Sequence, residues 1–275
     1  SYTDLVIPGT GGLDIRIQRS YNSNNIYLAR KTPLNLAPTL TTLLPRTPVG
    51  MGWTLHFGRV LKSEDLNGVA NVCNDGGLND DTLNNAILEL PDGSQQILYV
   101  NSTAFGARFI TREQWVADCI TGGLLVTSPE GMTYTLTQQV SGGNTYTTAQ
   151  DHAWYATRIE DRNGNYLTLS YLTTSSNKNA LISSITASDG RRVNFGYLNS
   201  ADPSNILLSS ISANDQTWRY EYTPDVTGSG YYQLARVVQP DGLTWAYQYH
   251  SKTTGLAGNK VLRQVTYPYG ATVNY

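Results

Sequence analysis

From residue 156 onward, short runs of alternating apolar and polar residues come in pairs, each pair joined by turn-forming residues. In "LARVVQPDGLTWAYQY" a β-branched run meets a Pro-Asp-Gly turn. Beyond it Trp245, Tyr247 and Tyr249 fall on one face and Thr244, Ala246 and Gln248 on the other. A period of two predicts strands, and Asp-Gly supplies the positive φ that a tight turn between twisted strands needs. The unit therefore reads as a β-hairpin. The hairpin around Gly190 repeats it with Val193, Phe195 and Tyr197, and the one around Gly164 with Leu167, Leu169 and Tyr171.

The hairpins keep a register. Aliphatic anchors at Ile159, Ile185, Ile211, Val237 and Val265 lie 26, 26, 26 and 28 residues apart, most with a glycine five positions on. A fixed period of this size predicts a stack of equivalent units. One unit departs: Gln216 stands where glycine is expected, and Trp218, Tyr220 and Tyr222 arrive one residue early. Asn214 and Asp215 tolerate left-handed geometry, so a turn shorter by one residue keeps the same face inward. Two looser relatives lie upstream, with Leu88 before Gly93 and Val126 before Gly131. Seven hairpins, each too small to stand alone, are expected to join edge to edge into one long sheet. The last unit stops at Tyr275, the counterpart of Tyr247, which predicts a fragment of a longer protein with an unpaired final strand seeking a partner, by edge-strand dimerisation or a continuing sheet.

Ahead of the repeats, "DLVIPGTGGLDIRIQRSYNS" reads as a strand, a Gly-rich turn and a second strand. Leu13, Ile15 and Ile17 face one way there, and Asp14, Arg16 and Gln18 the other. A loop with Pro33, Pro38, Pro45 and Pro48 follows, then a strand with Trp53, Leu55 and Phe57 alternating against Thr54, His56 and Gly58. Residues 64–85 read as a polar loop, and residues 112–119 as a short helix. The expected organisation is a lead-in over residues 1–66, starting the same sheet, and hairpin repeats over 67–275, irregular to about 150 and regular from 156.

Composition narrows the function classes. Charged residues make up 15% of the 275, below the roughly one quarter of an ordinary domain, and Lys and Arg are scattered singly around a net charge of −2. Without a basic stripe a nucleic-acid partner is disfavoured. No run of 18 apolar residues predicts a membrane-spanning helix, and Ser1 does not open a signal peptide. Nineteen tyrosines and five tryptophans against four phenylalanines fit strands packed on one face. Cys73 and Cys119 show no metal or redox spacing; a disulfide and a pair of buried thiols both remain open.

With the hairpin "RIEDRNGNYLTLSY" and the lead-in followed by "VGMGWTLHFGRVL", the chain resembles the Rhs/YD-repeat family over about residues 4–61 and 87–275. The resemblance implies an all-β fold of repeated antiparallel hairpins forming one long curved sheet, a shell segment of the kind found in bacterial Rhs and polymorphic-toxin proteins, toxin complexes and teneurins. It also implies partners: further shell repeats, and a toxin or other C-terminal domain of the same full-length protein enclosed by the shell. A secreted or cell-surface bacterial setting follows from the same likeness. The aspartate-dependent self-cleavage of such proteins lies beyond the repeats. Asp202-Pro203 lacks the expected glycine and reads as a turn.

Catalytic constellations are missing. There is no GxSxG, HExxH or Walker loop, and "GTGG" at residues 9–12 precedes a strand and so reads as a hairpin turn. His56, on the polar side of its strand, reads as a solvated surface residue. His152 beside Asp151 points away from it in an extended chain. Asp75, Asp80 and Asp81, with Asn74 and Asn79, offer hard oxygen ligands that Ca²⁺ accepts, against the plainer reading of a solvated loop. No other cofactor is expected. Tyr171, Tyr197, Tyr222 and Tyr249 recur at one repeat position, either as a row of cross-strand packing partners or as a contact surface for carbohydrate or a protein partner. The expectation is a non-catalytic structural segment, with an aromatic-rich binding module as the alternative.

Overall fold

The computed structural model describes residues 1–23, 48–63, 72–73, 85–101, 106–143, 150–173, 180–198, 206–224, 232–250 and 261–275. Apart from one turn of 3-10 helix at Thr10–Gly12, their regular elements are antiparallel strands: β1 (Tyr2–Ile7), β2 (Ile15–Tyr21), β3 (Trp53–Thr54), β4 (Arg59–Ser63), β5 (Ile87–Glu89), β6 (Gln95–Ile97) and β7 (Tyr99–Val100). There follow β8 (Phe109–Ile110), β9 (Val116–Ile120), β10 (Gly123–Thr127), β11 (Thr133–Gly143), β12 (Gln150–Glu160), β13 (Tyr166–Tyr171) and β14 (Ile182–Ala187). The chain ends with β15 (Arg192–Leu198), β16 (Leu207–Ala213), β17 (Gln216–Pro224), β18 (Tyr232–Val238), β19 (Thr244–Tyr249), β20 (Leu262–Thr266) and β21 (Thr272–Asn274). The long all-β antiparallel sheet is as expected.

Strands β12 to β21 pair in sequence order, and β21 has no second neighbour among the described residues, so this array is an open sheet. Its five anchors are all buried. At the turns, Gly164, Gly190, Gly242 and Gly270 have φ between 82° and 91°. Each glycine N–H donates to the carbonyl three residues earlier, as Gly190 does to Ala187 at 3.0 Å. Gly93 and Gly131 do the same upstream. These are three-residue loops closed by a left-handed residue. In the departing unit Asn214 and Asp215 take φ of 50° and 61°, a two-residue loop, and Trp218 and Tyr220 remain buried. The missing residue is absorbed in the turn.

A second repeated feature was not foreseen. Each odd strand meets the next even strand through a bulge at its tyrosine: Tyr171 pairs with Ile182 while Ser170 pairs with Ser184, and Tyr197, Tyr222 and Tyr249 are offset in the same way. The extra residues are Ser183, Ser209, Ala235 and Arg263, so the bulge has the period of the anchors. Bulges bend and twist a sheet, here in the same place in every unit.

The first strands depart from expectation. β1, β2 and β3 do not begin the long sheet but form a separate three-stranded one, laid on the apolar face of the array. β4 does join the long sheet, pairing with β5 and with residues 151–155 of β12. Leu98 alone separates β6, which pairs with β5, from β7, which pairs with β8. The succession β4, β5, β6–β7, β8, β9, β10, β11, β12 therefore returns on itself as a small ring around Val60, Leu88, Leu98, Phe109, Leu124, Val126, Leu136 and Trp154. Ring and array share β12, whose one edge serves β4 over 151–155 and β13 over 158–160. The helix expected at 112–119 is a turn followed by β9, since Thr111 and Trp115 close a tight turn and Val116 enters the ladder. Cys73 and Cys119 form a disulfide beside the ring core.

At Gly242 an added β-carbon would meet nothing within 4 Å, so backbone strain at a φ of 84° is what favours glycine there. Gly242→Val should cost about 1–2 kcal/mol. Asp215→Gly should stabilise by a few tenths, roughly, because glycine suits the second place of its turn. Urea unfolding of both variants measures the contrast.

Candidate functional site

The most elaborate chemistry in the chain lies between the lead-in sheet and the array. Ile15 and Ile17 of β2 are fully buried on the array, as predicted, and Arg19 follows in the same register with no exposed surface. β1 carries a bulge between Thr3 and Leu5 that turns Asp4 to the same side. Arg19 Nε and Nη2 donate to the two Asp4 oxygens at 2.6 and 2.7 Å, a bidentate pair. The array completes it: Tyr220 donates to Asp4 Oδ2 at 2.7 Å, and Arg19 Nη1 donates to the Tyr247 hydroxyl at 2.9 Å. Trp53, Tyr247 and Tyr220 place ring faces 5.2, 5.4 and 5.9 Å from the guanidinium. Burial alone would lower the Arg19 pKa, but the Asp4 charge and hydrogen bonds together with Tyr247 more than reverse this and hold it well above its ordinary value.

Around this centre the lead-in takes up polar groups of the array. Leu208 N donates to Pro48 O at 2.7 Å, Met51 N to Tyr232 O at 2.9 Å, and Leu262 N to the Tyr21 hydroxyl at 2.8 Å. Two of these three array residues, Leu208 and Leu262, sit at bulges, where the ladder is interrupted. Arg191 from a repeat turn donates to Ile7 O and Leu13 O. "GTGG" is a turn, as expected. Gly9 has a further reason: a β-carbon there would collide with Leu13 O and the Arg191 guanidinium.

The repeated tyrosines occupy this face. Tyr171, Tyr197, Tyr222 and Tyr249 donate across their own hairpins to Ala156 O, Ile182 O, Leu208 O and Leu234 O at 2.6–2.8 Å. Those acceptors are spaced 26 residues apart and each lies three residues before an anchor. Burial pushes all four hydroxyls above their ordinary pKa. Trp53 Nε1 adds a donor to the Tyr249 oxygen at 2.8 Å. With rings packed on the core and hydroxyls spent on backbone carbonyls, the geometry favours the packing reading of this row.

A second buried cluster lies where ring and array meet. Arg59 Nη2 donates to both oxygens of Glu89 at 3.1 and 3.0 Å, and Arg59 Nη1 to the Tyr155 hydroxyl at 2.9 Å. Gln95 Nε2 donates to Glu89 Oε2 at 3.0 Å, and His56 Nε2 lies 3.1 Å from Glu89 Oε1. His56 is 3% exposed, which corrects its reading as a solvated residue. It lies in the link between β3 and β4, within a stretch, residues 52–62, that is buried throughout. Burial would raise the Glu89 carboxyl, but the Arg59 charge and the His56 and Gln95 bonds hold it at about 2.

Sequence reasoning missed Arg19, Asp4, Arg59 and Glu89. Arg19 was visible as a charge in phase with Ile15 and Ile17; Asp4 was not, because its bulge breaks the alternation. Asp75, Asp80, Asp81 and Asp202-Pro203 lie outside the described residues. Among the described residues no group of three or more His, Cys, Asp or Glu side chains is placed to hold a metal, and no helix is long and apolar enough to cross a membrane.

Fold and site together define an all-β hairpin-repeat array sealed on one face by its own lead-in sheet. No family model matches the sequence, and no curated protein matches it. Among solved structures the chain is similar to the N-terminal domain of effector protein SpvB from Salmonella typhimurium strain LT2, with TM-score 0.36 and 11% identity over 100% of both chains. It is similar to a crystal structure of TcdB2-TccC3, with TM-score 0.41 and 12% identity, covering 91% of this chain and spanning 17% of that one. A porin-like protein from Bacteroides uniformis aligns at TM-score 0.32 and 12% identity over 76% of this chain and 88% of its own. Likenesses this distant carry no argument, and function rests on the chain's own geometry.

Removing either partner of the Asp4–Arg19 pair leaves an uncompensated buried charge. Asp4→Leu and Arg19→Met should each cost about 3–5 kcal/mol, and the double variant far less than their sum. Additive losses in urea unfolding would show that the pair is uncoupled. The Glu89 contribution is present above the ordinary value of 4.5 and lost as pH falls towards about 2. Glu89→Gln should therefore flatten the acid limb of stability in that window, read from urea midpoints at successive pH.

Proposed function

We propose that the chain is a non-catalytic wall segment of an Rhs/YD-type β-shell that encloses a toxin or other domain of a larger secreted or surface bacterial protein. The observation that carries this reading is the phase of the repeat. Anchor, turn, bulge and tyrosine–carbonyl bond recur together from β12 to β20, so each unit bends the sheet alike and presents the next edge alike. Such a unit extends by addition, which suits a wall.

Among the described residues, His56 and the tyrosine row, which could serve chemistry, are engaged in structure. His56 is held by Glu89 and Gly58, and the tyrosine hydroxyls are bound to carbonyls. The disulfide fits an oxidising compartment. The lead-in sheet covers the aromatic face, so an enclosed domain meets wall beyond that covered span or on the other face, where Ser170, Asn194, Ser210 and Ser212 alternate with the core. The outer edge of β21 is the place where further repeats would add.

Electron microscopy of the full-length protein tests this. The expected image is a hollow particle with density inside, and the enclosed domain should resist protease until the wall is disrupted. A solid globule with the remaining domains outside, cleaved at the same rate with or without this segment, overturns the reading.

A further inference from the structure

His56 sits at the seam between ring and array, and both of its ring nitrogens are committed. The Gly58 amide donates to Nδ1 at 3.1 Å. That bond fixes the tautomer, because an acceptor Nδ1 leaves the proton on Nε2, donated to Glu89 Oε1. Gly58 O accepts the Ala156 amide at 3.1 Å, at the point where β12 passes from pairing with β4 to pairing with β13. Ala156 O then accepts the Tyr171 hydroxyl at 2.6 Å. A continuous set of hydrogen bonds thus runs from Glu89 through the imidazole to the first hairpin of the array. The charged and titratable groups facing the ring are Glu89 of β5, Arg59 of β4, Asp92 of the β5–β6 turn and Tyr155 of β12.

We propose that His56 is a proton-operated latch on the seam between ring and array: a proton taken from solvent by Nδ1 expels the Gly58 amide and loosens the Gly58–Ala156 contact. The balance is simple. Nδ1 gains the proton and becomes a donor, so it faces another donor, the Gly58 N–H, and one must leave. Glu89 stays ionised across the pH range in which imidazole titrates, so the Nε2 bond survives and the strain falls on the Gly58 side. In the closed seam burial and the Arg59 charge disfavour the cation; once the seam opens, water reaches the ring and the ordinary affinity returns. The depressed group is neutral when folded, so opening is increasingly favoured as pH falls below the free-imidazole value of about 6.5, until the folded imidazole itself titrates. The latch is independent of what the array encloses.

Hydrogen exchange read by mass spectrometry on the 275-residue protein tests it, at about pH 7.5 and about pH 5, rates corrected for intrinsic chemistry. In the wild type, peptides containing Gly58 and Ala156 should lose protection several-fold at the lower pH, while peptides containing Ile211 and Val237 keep theirs. In His56→Gln the corrected protection around Ala156 should not vary with pH. Unchanged protection in the wild type, or an equal loss in the variant, overturns the latch. If the variant does not fold, an NMR titration of the wild type decides: the imidazole resonance and Gly58 protection must change together, and Gly58 opening beside a still neutral ring overturns the proposal.

Discussion

A sheet with one apolar face has to cover that face, and everything distinctive in this chain follows from how it does so. The array from β12 to β21 puts Ile159, Ile185, Ile211, Val237 and Val265 on a single side. Stacking hairpins edge to edge satisfies their backbones but leaves that side wet, because neighbours in a sheet cover edges and not faces. The second layer is β1–β3. Ile7, Leu13, Ile15, Ile17 and Trp53 join the anchors in one core, so lead-in and array fold as one unit.

The bulge explains what the cover grips. A regular ladder would have bound the amides of Leu208 and Leu262 itself. At Leu208 and Leu262 the interruption gives amides to Pro48 O and the Tyr21 hydroxyl, while the tyrosine hydroxyls claim the carbonyls of Ile182, Leu208 and Leu234. The irregularity that bends each hairpin is thus also the contact that fixes register between layers. Apolar packing, which has no direction, could not select that register by itself.

How much of this was legible depended on whether a feature kept to period two. The seven turns could be read from glycine and Asn-Asp, since positive φ is a property of residue type. The buried face of β2 could be read because Leu13, Ile15 and Ile17 alternate strictly. Where alternation broke, the reading broke with it. Asp4 turns inward through a bulge, and His56 sits not on a strand but in a buried link between β3 and β4, so the alternation around it implied water that is not there. The separate lead-in sheet was hidden for a different reason: strand character says nothing about which sheet a strand joins. The tyrosine row was visible as a row, yet its meaning lay in carbonyls some 15 residues away.

Two buried arginine–carboxylate pairs mark the two joints of the molecule, Arg19–Asp4 between lead-in and array and Arg59–Glu89 between ring and array. Neither is an economical way to gain stability, since an apolar replacement of equal volume commonly does as well. What a charged pair adds is intolerance of misplacement. Slide β2 by one residue, and Arg19 loses Asp4 and Tyr247 together in a site without water. A leucine there would merely find other carbon. In a repeat array every unit looks like its neighbour, so a lead-in held by apolar contact alone could settle one unit along at small cost. Tyr220 and Tyr247 occur in adjacent units, but Asp4 and Arg19 occur once, and together they define a single address on an otherwise periodic surface.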